Sequence, residues 1–166
     1  MTHIKEIPED IGEYLRYEDG KLFWTQRAAQ RLQIGDEAGG LHPKIGYRRV
    51  KFRDSIYLTH RIIWFLIKKE QPPRILDHIN NNKTDNRIEN LREVTYSENE
   101  QNKNKQKNNT SGVKGVFWCT RDKKWIARVA KNRKRTCVGY FSDLKDAEQA
   151  VKKARKELHG EFANNG

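Results

Sequence analysis

A stretch of eleven residues without an apolar side chain limits how this chain can fold. Residues 101–111 read QNKNKQKNNTS and consist almost entirely of Asn, Lys and Gln. Such a segment cannot contribute to a packed core and is typical of a linker. The 166-residue chain is therefore expected to fold as two small modules, residues 1–100 and 112–166, which the basic linker at 101–111 joins.

The positive charge of the chain is concentrated at this linker and just after it. The formal net charge is +12, from 34 Lys and Arg against 22 Asp and Glu. Residues 1–100 hold 17 basic and 16 acidic side chains, whereas residues 101–135 hold 12 basic and one acidic. Such a block indicates a polyanionic partner, nucleic acid first and an anionic membrane second. A linker that is merely basic and solvated is the alternative.

Membrane and secretion signals are not evident in the sequence. No apolar run approaches the ~20 residues of a membrane span, and the N-terminal segment MTHIKEIPED lacks the apolar core of a signal peptide. Cys119 and Cys137 form no CxxC pair, which argues against a structural zinc site. We therefore expect no membrane partner and a reducing cytoplasm as the setting of the protein.

Periodic patterns predict an α+β fold in both modules. In the first module the sequence predicts three strands, at KLFWTQ, at residues 47–52 and at residues 56–60. A helix is predicted over Arg61–Lys69, and it ends before two prolines. In the second module, VKGVFWCT, KKWIARVAK and RTCVGYF predict three antiparallel strands. The segment after them predicts one helix that backs the sheet, with Ser142 as N-cap and Gly160 as the stop.

The segment ILDHINNNKTDNRIENLREVT, residues 75–95, carries the residue types of a phosphodiesterase site. Hydrolysis of a phosphodiester needs an activated water and charge stabilisation, and a single Mg²⁺ can supply the second with one carboxylate and one amide oxygen as protein ligands. An imidazole with a pKa near ~6.5 is a suitable general base. Asp77 and His78 are the candidates for carboxylate and base, and ordinary turn residues are the alternative.

Three segments taken together resemble a known family. The runs THRIIW, ILDHINNNKTDNRIENLREVT and YSENEQN resemble, in this order, the HNH endonucleases, specifically the homing-endonuclease branch common in phages. The resemblance covers about residues 20–105 and implies a ββα-metal module that cleaves DNA with one divalent ion. It implies that Asp77 and Asn99 ligate the metal and that His78 is the general base.

The resemblance also implies roles around these residues. Asn90 would tie the loop together through backbone hydrogen bonds, and His60 would serve either in core hydrogen bonding or in positioning phosphate. Arg61 would contact phosphate or lie at the surface. Many HNH enzymes carry a histidine where this chain has Asn99 (or a neighbour such as Asn102), and an amide there favours Mg²⁺ or Mn²⁺ over zinc. Turn and cap roles are expected for Asn80, Asn81, Asn82, Asp85 and Asn86.

The second module resembles a different family. SGVKGVFWCTRDKKWIARV, RTCVGYF and ELHGEFAN, spread over about residues 110–164, resemble the Apetala-type (ethylene-response-factor) DNA-binding domain. In that family the three-stranded sheet lies in the major groove and the helix supports it. Phe117 and Cys137 stand where the plant proteins have Arg and Trp, so the target sequence does not carry over. Contacts to DNA are implied for Lys114, Arg128, Arg135 and Tyr140.

These observations predict a site-specific, metal-dependent DNA endonuclease. Its partner would be double-stranded DNA, its cofactor one Mg²⁺ or Mn²⁺ with no small-molecule cofactor, and its state a monomer or a weak homodimer that nicks DNA or cuts both strands. A DNA-binding regulator with a decayed nuclease module is the main alternative. An RNA-binding or structural protein is a second one.

Overall fold

The fold was obtained as a computed structural model that describes residues 5–106 and 108–166. By its contacts the chain divides into two compact units, Met1–Glu93 (the N-terminal unit) and Val94–Gly166 (the C-terminal unit). Each unit combines helices with antiparallel sheet, which confirms the predicted α+β class. Lys107, in the predicted linker, lies outside the described residues.

Over residues 5–93, the N-terminal unit contains three small antiparallel sheets. Their strand orders are β1-β2-β3, β4-β5-β6 and β7-β8. The elements, in chain order, are α1 (Ile11–Tyr14), β1 (Leu15–Glu18), β2 (Lys21–Trp24), β3 (Glu37–Ala38), β4 (Gly40–Leu41), β5 (Arg48–Phe52), β6 (Ser55–Leu58), α2 (Thr59–Lys68), β7 (Leu76–His78), a 3₁₀ turn (Ile88–Asn90) and β8 (Leu91–Glu93).

Helix α2 supplies the central part of the core of this unit. Ile62 and Ile63 are fully buried and pack with apolar residues of β1, β2 and β5. The helix ends where Lys69 adopts a left-handed conformation with φ of 58°, ahead of the two prolines. It begins two residues earlier than predicted, because β6 ends at Leu58 and the chain enters the helix without a breaker. His60 therefore lies in the first helical turn and not, as predicted, at a strand end.

The C-terminal unit is a three-stranded antiparallel sheet backed by one helix, as predicted. The helix packs Ala147 and Val151 against Val116, Ala127 and Val129 of the sheet. The elements are α3 (Tyr96–Asn102), β9 (Val116–Cys119), β10 (Lys124–Lys131), β11 (Lys134–Phe141), α4 (Leu144–His159) and a 3₁₀ turn (Gly160–Phe162), and the strand order is β11-β10-β9.

The cap of helix α4 differs by one residue from the prediction. Asp143, not Ser142, is the N-cap, because its extended backbone lets the carboxylate accept from the backbone N–H of Lys145 at 2.6 Å. Gly160 ends the helix with φ of 56°, as predicted. Within the described residues, no helix combines the length and the apolar character that crossing a bilayer requires.

Helix α3 belongs to the C-terminal unit by its contacts. Thr95 caps it in a capping box with Glu98, an arrangement in which two otherwise unpaired backbone N–H groups find acceptors. The ammonium group of Lys114 donates to the carbonyls of Gln101 (3.0 Å), Lys103 (2.5 Å) and Asn164 (2.9 Å). The three donors of this side chain thus join the end of α3 to the C-terminal segment.

Replacement of Lys114 should destabilise the C-terminal unit. We expect Lys114→Met to lower the free energy of unfolding by about 2–4 kcal/mol, because three carbonyl oxygens lose a half-buried donor. Urea denaturation monitored by tryptophan fluorescence measures the change. Lys124→Met, at an exposed position of β10, is the matched control, and equal effects of the two substitutions would contradict the role of Lys114.

Candidate active site

A hairpin with a long loop builds the candidate site. Strands β7 and β8 pair antiparallel, with Asp77 opposite Arg92 and His78 opposite Leu91. Asn90 ties the loop between them: its Oδ1 accepts from the backbone N–H of Asn80 at 3.1 Å. Its Nδ2 donates to Asn80 Oδ1 at 3.0 Å and to the carbonyl of Asp85 at 2.8 Å. Both ends of the loop are therefore held by one buried amide.

The other polar side chains of the loop mostly bind each other. Asn80 Nδ2 donates to Asp85 Oδ2 at 2.7 Å, and Arg87 binds both oxygens of Asp85 at 2.8 Å. These hydrogen bonds hold the pKa of Asp85 below its usual range, and the hydrogen bond from Arg87 contributes most to this lowering. Asn82 Oδ1 accepts from the backbone and the hydroxyl of Thr84. The loop conformation is thus set by its own side chains.

Asp77 is buried at the end of β7 and paired with a cation. The residue is 8% exposed, and its Oδ2 accepts from Arg92 Nη2 at 3.1 Å and from Arg92 Nε at 3.2 Å. Because the two residues face each other across the hairpin, the strand register itself sets the position of the carboxylate. A buried pair of this kind holds the carboxylate in a fixed orientation.

His78 lies next to it in a buried position, with two aromatic rings as neighbours. It is 3% exposed, and its Nε2 lies 3.0 Å from Oδ1 of Asn86. Its ring meets that of His60 edge-on, with centroids 5.1 Å apart, and that of Tyr47 at 5.9 Å. Burial lowers the pKa of His78, and the hydrogen bond to Asn86 and the charge of Asp77 oppose this shift. At neutral pH the imidazole is therefore neutral and can accept a proton.

His60 and Arg61 are engaged within the N-terminal unit. His60 is 5% exposed and also packs against Tyr47, with ring centroids 5.2 Å apart. Burial first, and then the charges of His78 and Arg61, lower the pKa of His60 to about 3. Arg61 donates to the carbonyl of Pro73 at 2.9 Å and to that of Pro72 at 3.1 Å. His60 thus packs against an aromatic ring, and Arg61 is hydrogen-bonded to backbone carbonyls.

Protonation of His60 should make the stability of the fold depend on pH. The unfolded chain binds a proton near its ordinary pKa of 6.5, whereas the folded chain resists it until about 3. The stability that neutral His60 contributes is therefore fully present above its ordinary pKa of 6.5. It is lost as the pH falls toward the pKa of His60 in the folded protein, about 3. At about pH 5 the loss should be about 2 kcal/mol.

Urea denaturation of the metal-free protein at neutral pH and at about pH 5 measures this loss. His60→Phe keeps a ring in the core and should flatten the pH dependence, while His42→Phe at a partly exposed site should not. Parallel pH profiles for the native protein and His60→Phe would show that His60 is not the titrating group.

The sheet of the C-terminal unit presents a second set of predicted residues. Cross-strand partners share a face, and Ile126 pairs with Tyr140, Arg128 with Cys137 and Ala130 with Arg135. Arg128, Arg135 and Tyr140 thus lie on the outer face, opposite the face that helix α4 covers. The guanidinium of Arg128 stacks over the ring of Phe117 at 4.7 Å from its centroid. Lys114 is apart from this group, since its ammonium donates to the three carbonyls described above.

The predicted residues of the candidate site are divided between the two units. Asp77, His78, His60 and Asn90 all belong to the N-terminal unit, at the hairpin and the start of α2. Asn99 is half-buried in helix α3 of the C-terminal unit, and its backbone N–H donates to Thr95 at 3.0 Å. Among residues 5–106 and 108–166, no three His, Cys, Asp or Glu side chains cluster as a metal site.

Two contacts at the hairpin were not predicted. One is the salt bridge of Arg92 with Asp77, and the other is the hydrogen bond of Asn86 with His78. Arg92 could be found from sequence if the hairpin register were known. Asn86 carries no such signal, because it is one of several similar residues in the loop.

Comparison with known proteins shows which protein family the region around this hairpin resembles. Residues 57–101 match the model of an HNH endonuclease family. The chain is 35% identical over 88 residues to Protein 3.8 of Escherichia phage T7, an alignment that covers 53% of this chain and 72% of that protein. No solved structure matches the chain. Asp77, His78, Asn90 and Asn99 all lie inside the matched region, so the chain carries an HNH endonuclease domain at residues 57–101 and belongs to the same family as this phage protein.

Proposed function

We propose that the protein is a site-specific DNA endonuclease of the homing type that hydrolyses phosphodiester bonds with one Mg²⁺ or Mn²⁺. The observation that carries the proposal is the pair at the end of β7: a buried, neutral His78 beside Asp77, whose carboxylate is held by a cross-strand arginine. A neutral base next to a fixed carboxylate is the equipment for metal-assisted hydrolysis. The family match is consistent with it.

The residues available as ligands suit a hard divalent cation. Asp77 would supply a carboxylate oxygen, and we propose Asn99 as the second ligand on the basis of the HNH pattern. Oxygen donors in small number fit Mg²⁺ or Mn²⁺, which retain several waters. When bound, such an ion supplies Lewis acidity and stabilises the leaving oxygen. Arg92 keeps the carboxylate of Asp77 oriented and adds a positive charge that tempers the affinity for the cation.

His78 then acts on the attacking water. Because its imidazole is neutral at physiological pH, it can take a proton from a water that attacks phosphorus. Asn90 contributes indirectly, since the loop that it ties follows directly on the base. Rigid support of this kind keeps the reacting groups in a productive geometry.

The C-terminal unit is proposed to read the DNA in the manner of an Apetala-type domain. Its sheet would enter the major groove and place Arg128, Arg135 and Tyr140 against phosphates and base edges. We assign Lys114 a structural role, because its donors are engaged by carbonyls. A cavity of about 420 Å³ in this unit has several basic residues in its lining, which includes Lys103, Lys105, Lys114, Arg128, Arg135 and Arg155.

The two modules would have different tasks. Residues 1–100 would cleave, residues 101–111 would link, and residues 112–166 would raise the effective concentration of the nuclease at chosen sites. One catalytic site cuts one strand, so a monomer would nick and a double-strand cut would need a weak homodimer or two successive nicks. The setting would be the cytoplasm of a host cell, if a phage encodes the protein.

A metal series on double-stranded DNA tests the nuclease proposal. We expect cleavage with Mg²⁺ or Mn²⁺, none after chelation, and a loss on the order of 10²-fold or more for Asp77→Ala, because the carboxylate ligand is gone. Asp54→Ala, at an exposed turn, is the matched control and should cleave normally. Cleavage that persists in chelator, or that is unchanged in Asp77→Ala, would contradict the proposal. DNA binding without cleavage under all metals would instead support a non-catalytic regulator.

A further inference from the structure

Asn86 is the loop residue whose placement the proposed mechanism has not yet used. It is 1% exposed, and its Oδ1 lies 3.0 Å from Nε2 of His78. Its neighbours in the loop bind each other, as described above, whereas the side chain of Asn86 points to the imidazole. The contact spans eight positions in sequence, across the loop that Asn90 closes.

The chemistry of this contact determines which nitrogen of His78 carries the proton. An amide oxygen can only accept, so Nε2 must be the protonated nitrogen and the donor. A neutral imidazole has one protonated nitrogen, and the lone pair is then on Nδ1. The contact with Oδ1 of Asn86 therefore favours the tautomer of neutral His78 that carries its proton on Nε2.

The other end of the amide supports a role beyond packing. Nδ2 of Asn86 is buried and has no hydrogen-bond partner within the described residues. A buried polar atom without a partner costs stability, and native proteins retain few of them. Leucine, of similar shape, would avoid that cost, so packing alone does not explain an amide here.

We propose that Asn86 is a positioning residue that holds neutral His78 in the Nε2–H tautomer, with Nδ1 as the nitrogen that takes the proton. In the reaction, a water O–H bond breaks and its proton goes to Nδ1, while the oxygen bonds to phosphorus and the bond to the leaving oxygen breaks. The leaving oxygen then takes a proton from solvent. The reaction step rests on the proposed function of His78 as general base, whereas the tautomer does not.

Nitrogen NMR on the full-length native protein tests the tautomer directly. With ¹⁵N-labelled histidine, at a pH where the imidazole is neutral, His78 should show a protonated Nε2 and an unprotonated Nδ1. A protonated Nδ1 would overturn the proposal, since it would mean that the amide presents Nδ2 to the ring. This measurement needs neither a variant nor cleavage, so it stands even if the nuclease proposal fails.

Variants of Asn86 test its effect on the reaction. We expect Asn86→Leu to lower kcat on the order of 10²-fold or more with KM for DNA within about 3-fold, because the imidazole loses its orienting acceptor. Asn86→Asp keeps an oxygen acceptor and should preserve the Nε2–H tautomer and recover most of kcat. Asn82→Ala, a loop amide that binds Thr84, is the control and should keep the tautomer of the native protein.

The outcomes separate a positioning role from a structural one. Native kcat and tautomer in Asn86→Leu would overturn the proposal, as would an Asp variant that is as inactive as the Leu variant while folded. If Asn86→Leu does not fold, the tautomer of the native protein and the Asp variant decide. A native protein with the expected tautomer that cleaves no DNA would refute the nuclease proposal and leave the assignment of Asn86 to His78 intact.

Discussion

His78→Ala lowers the rate of DNA cleavage on the order of 10²–10⁴-fold, the range in which general bases contribute, while affinity for DNA stays within about 3-fold of the native value. The separation is expected because His78 is buried among His60, Tyr47 and Asn86 and would act on a water. Phosphate and base contacts, which supply affinity, would come from other residues. Single-turnover cleavage at saturating protein measures the rate without a contribution from binding.

The matched control for this substitution is His42→Ala. His42 is a second histidine of the N-terminal unit, and its Nδ1 accepts from the backbone N–H of Lys44 at 3.3 Å. We expect this variant to cleave at the native rate. Equal losses of cleavage and DNA affinity in His78→Ala would show that the residue supports the structure or binds DNA, and would remove it from the role of base.

The double variant Arg128→Ala/Arg135→Ala binds DNA more weakly, with Kd raised on the order of 10–100-fold at moderate salt. Both residues are exposed and lie on the outer face of the C-terminal sheet, opposite the face on which helix α4 packs. If each neutralises one phosphate, the slope of log affinity against log salt should fall by about 1.8. Fluorescence anisotropy over a series of salt concentrations measures both quantities.

A control variant on helix α4 distinguishes an effect of the sheet face on DNA binding from an effect of net charge. Lys145→Ala/Lys153→Ala removes the same two charges from exposed positions of the helix that covers the other face. We expect this variant to retain the native salt slope. A slope that falls equally in both double variants would mean that the basic charge acts as a whole, and the sheet would then not be the DNA-reading surface.

The secondary structure of the C-terminal unit could be predicted because its pattern is local. Trp125, Ala127 and Val129 alternate with outward residues, and the structure packs this set against helix α4. One misplaced boundary, the start of helix α4, falls where two adjacent residues are nearly equivalent as caps. Ser142 and Asp143 are both good N-caps, and only the backbone conformation at Asp143 decides between them.

The sequence points to the residue types of the candidate site but does not determine the contacts between them. Asp77 and His78 stand out because a carboxylate and an imidazole follow an apolar run. The bond from Asn86 to His78 depends on how the loop closes, which the sequence of similar Asn and Asp residues does not determine. The salt bridge of Asp77 with Arg92 depends on the register of the hairpin. That register is set by the whole loop and by Asn90, which ties the loop together.

Incubation of supercoiled plasmid with the purified protein, in Mg²⁺ and after chelation, tests the central claim most directly. The account predicts conversion to nicked or linear DNA in Mg²⁺ by the native protein, and none by His78→Ala or in chelator. A protein that binds the plasmid in Mg²⁺ and Mn²⁺ yet leaves it supercoiled at high protein concentration would contradict the account.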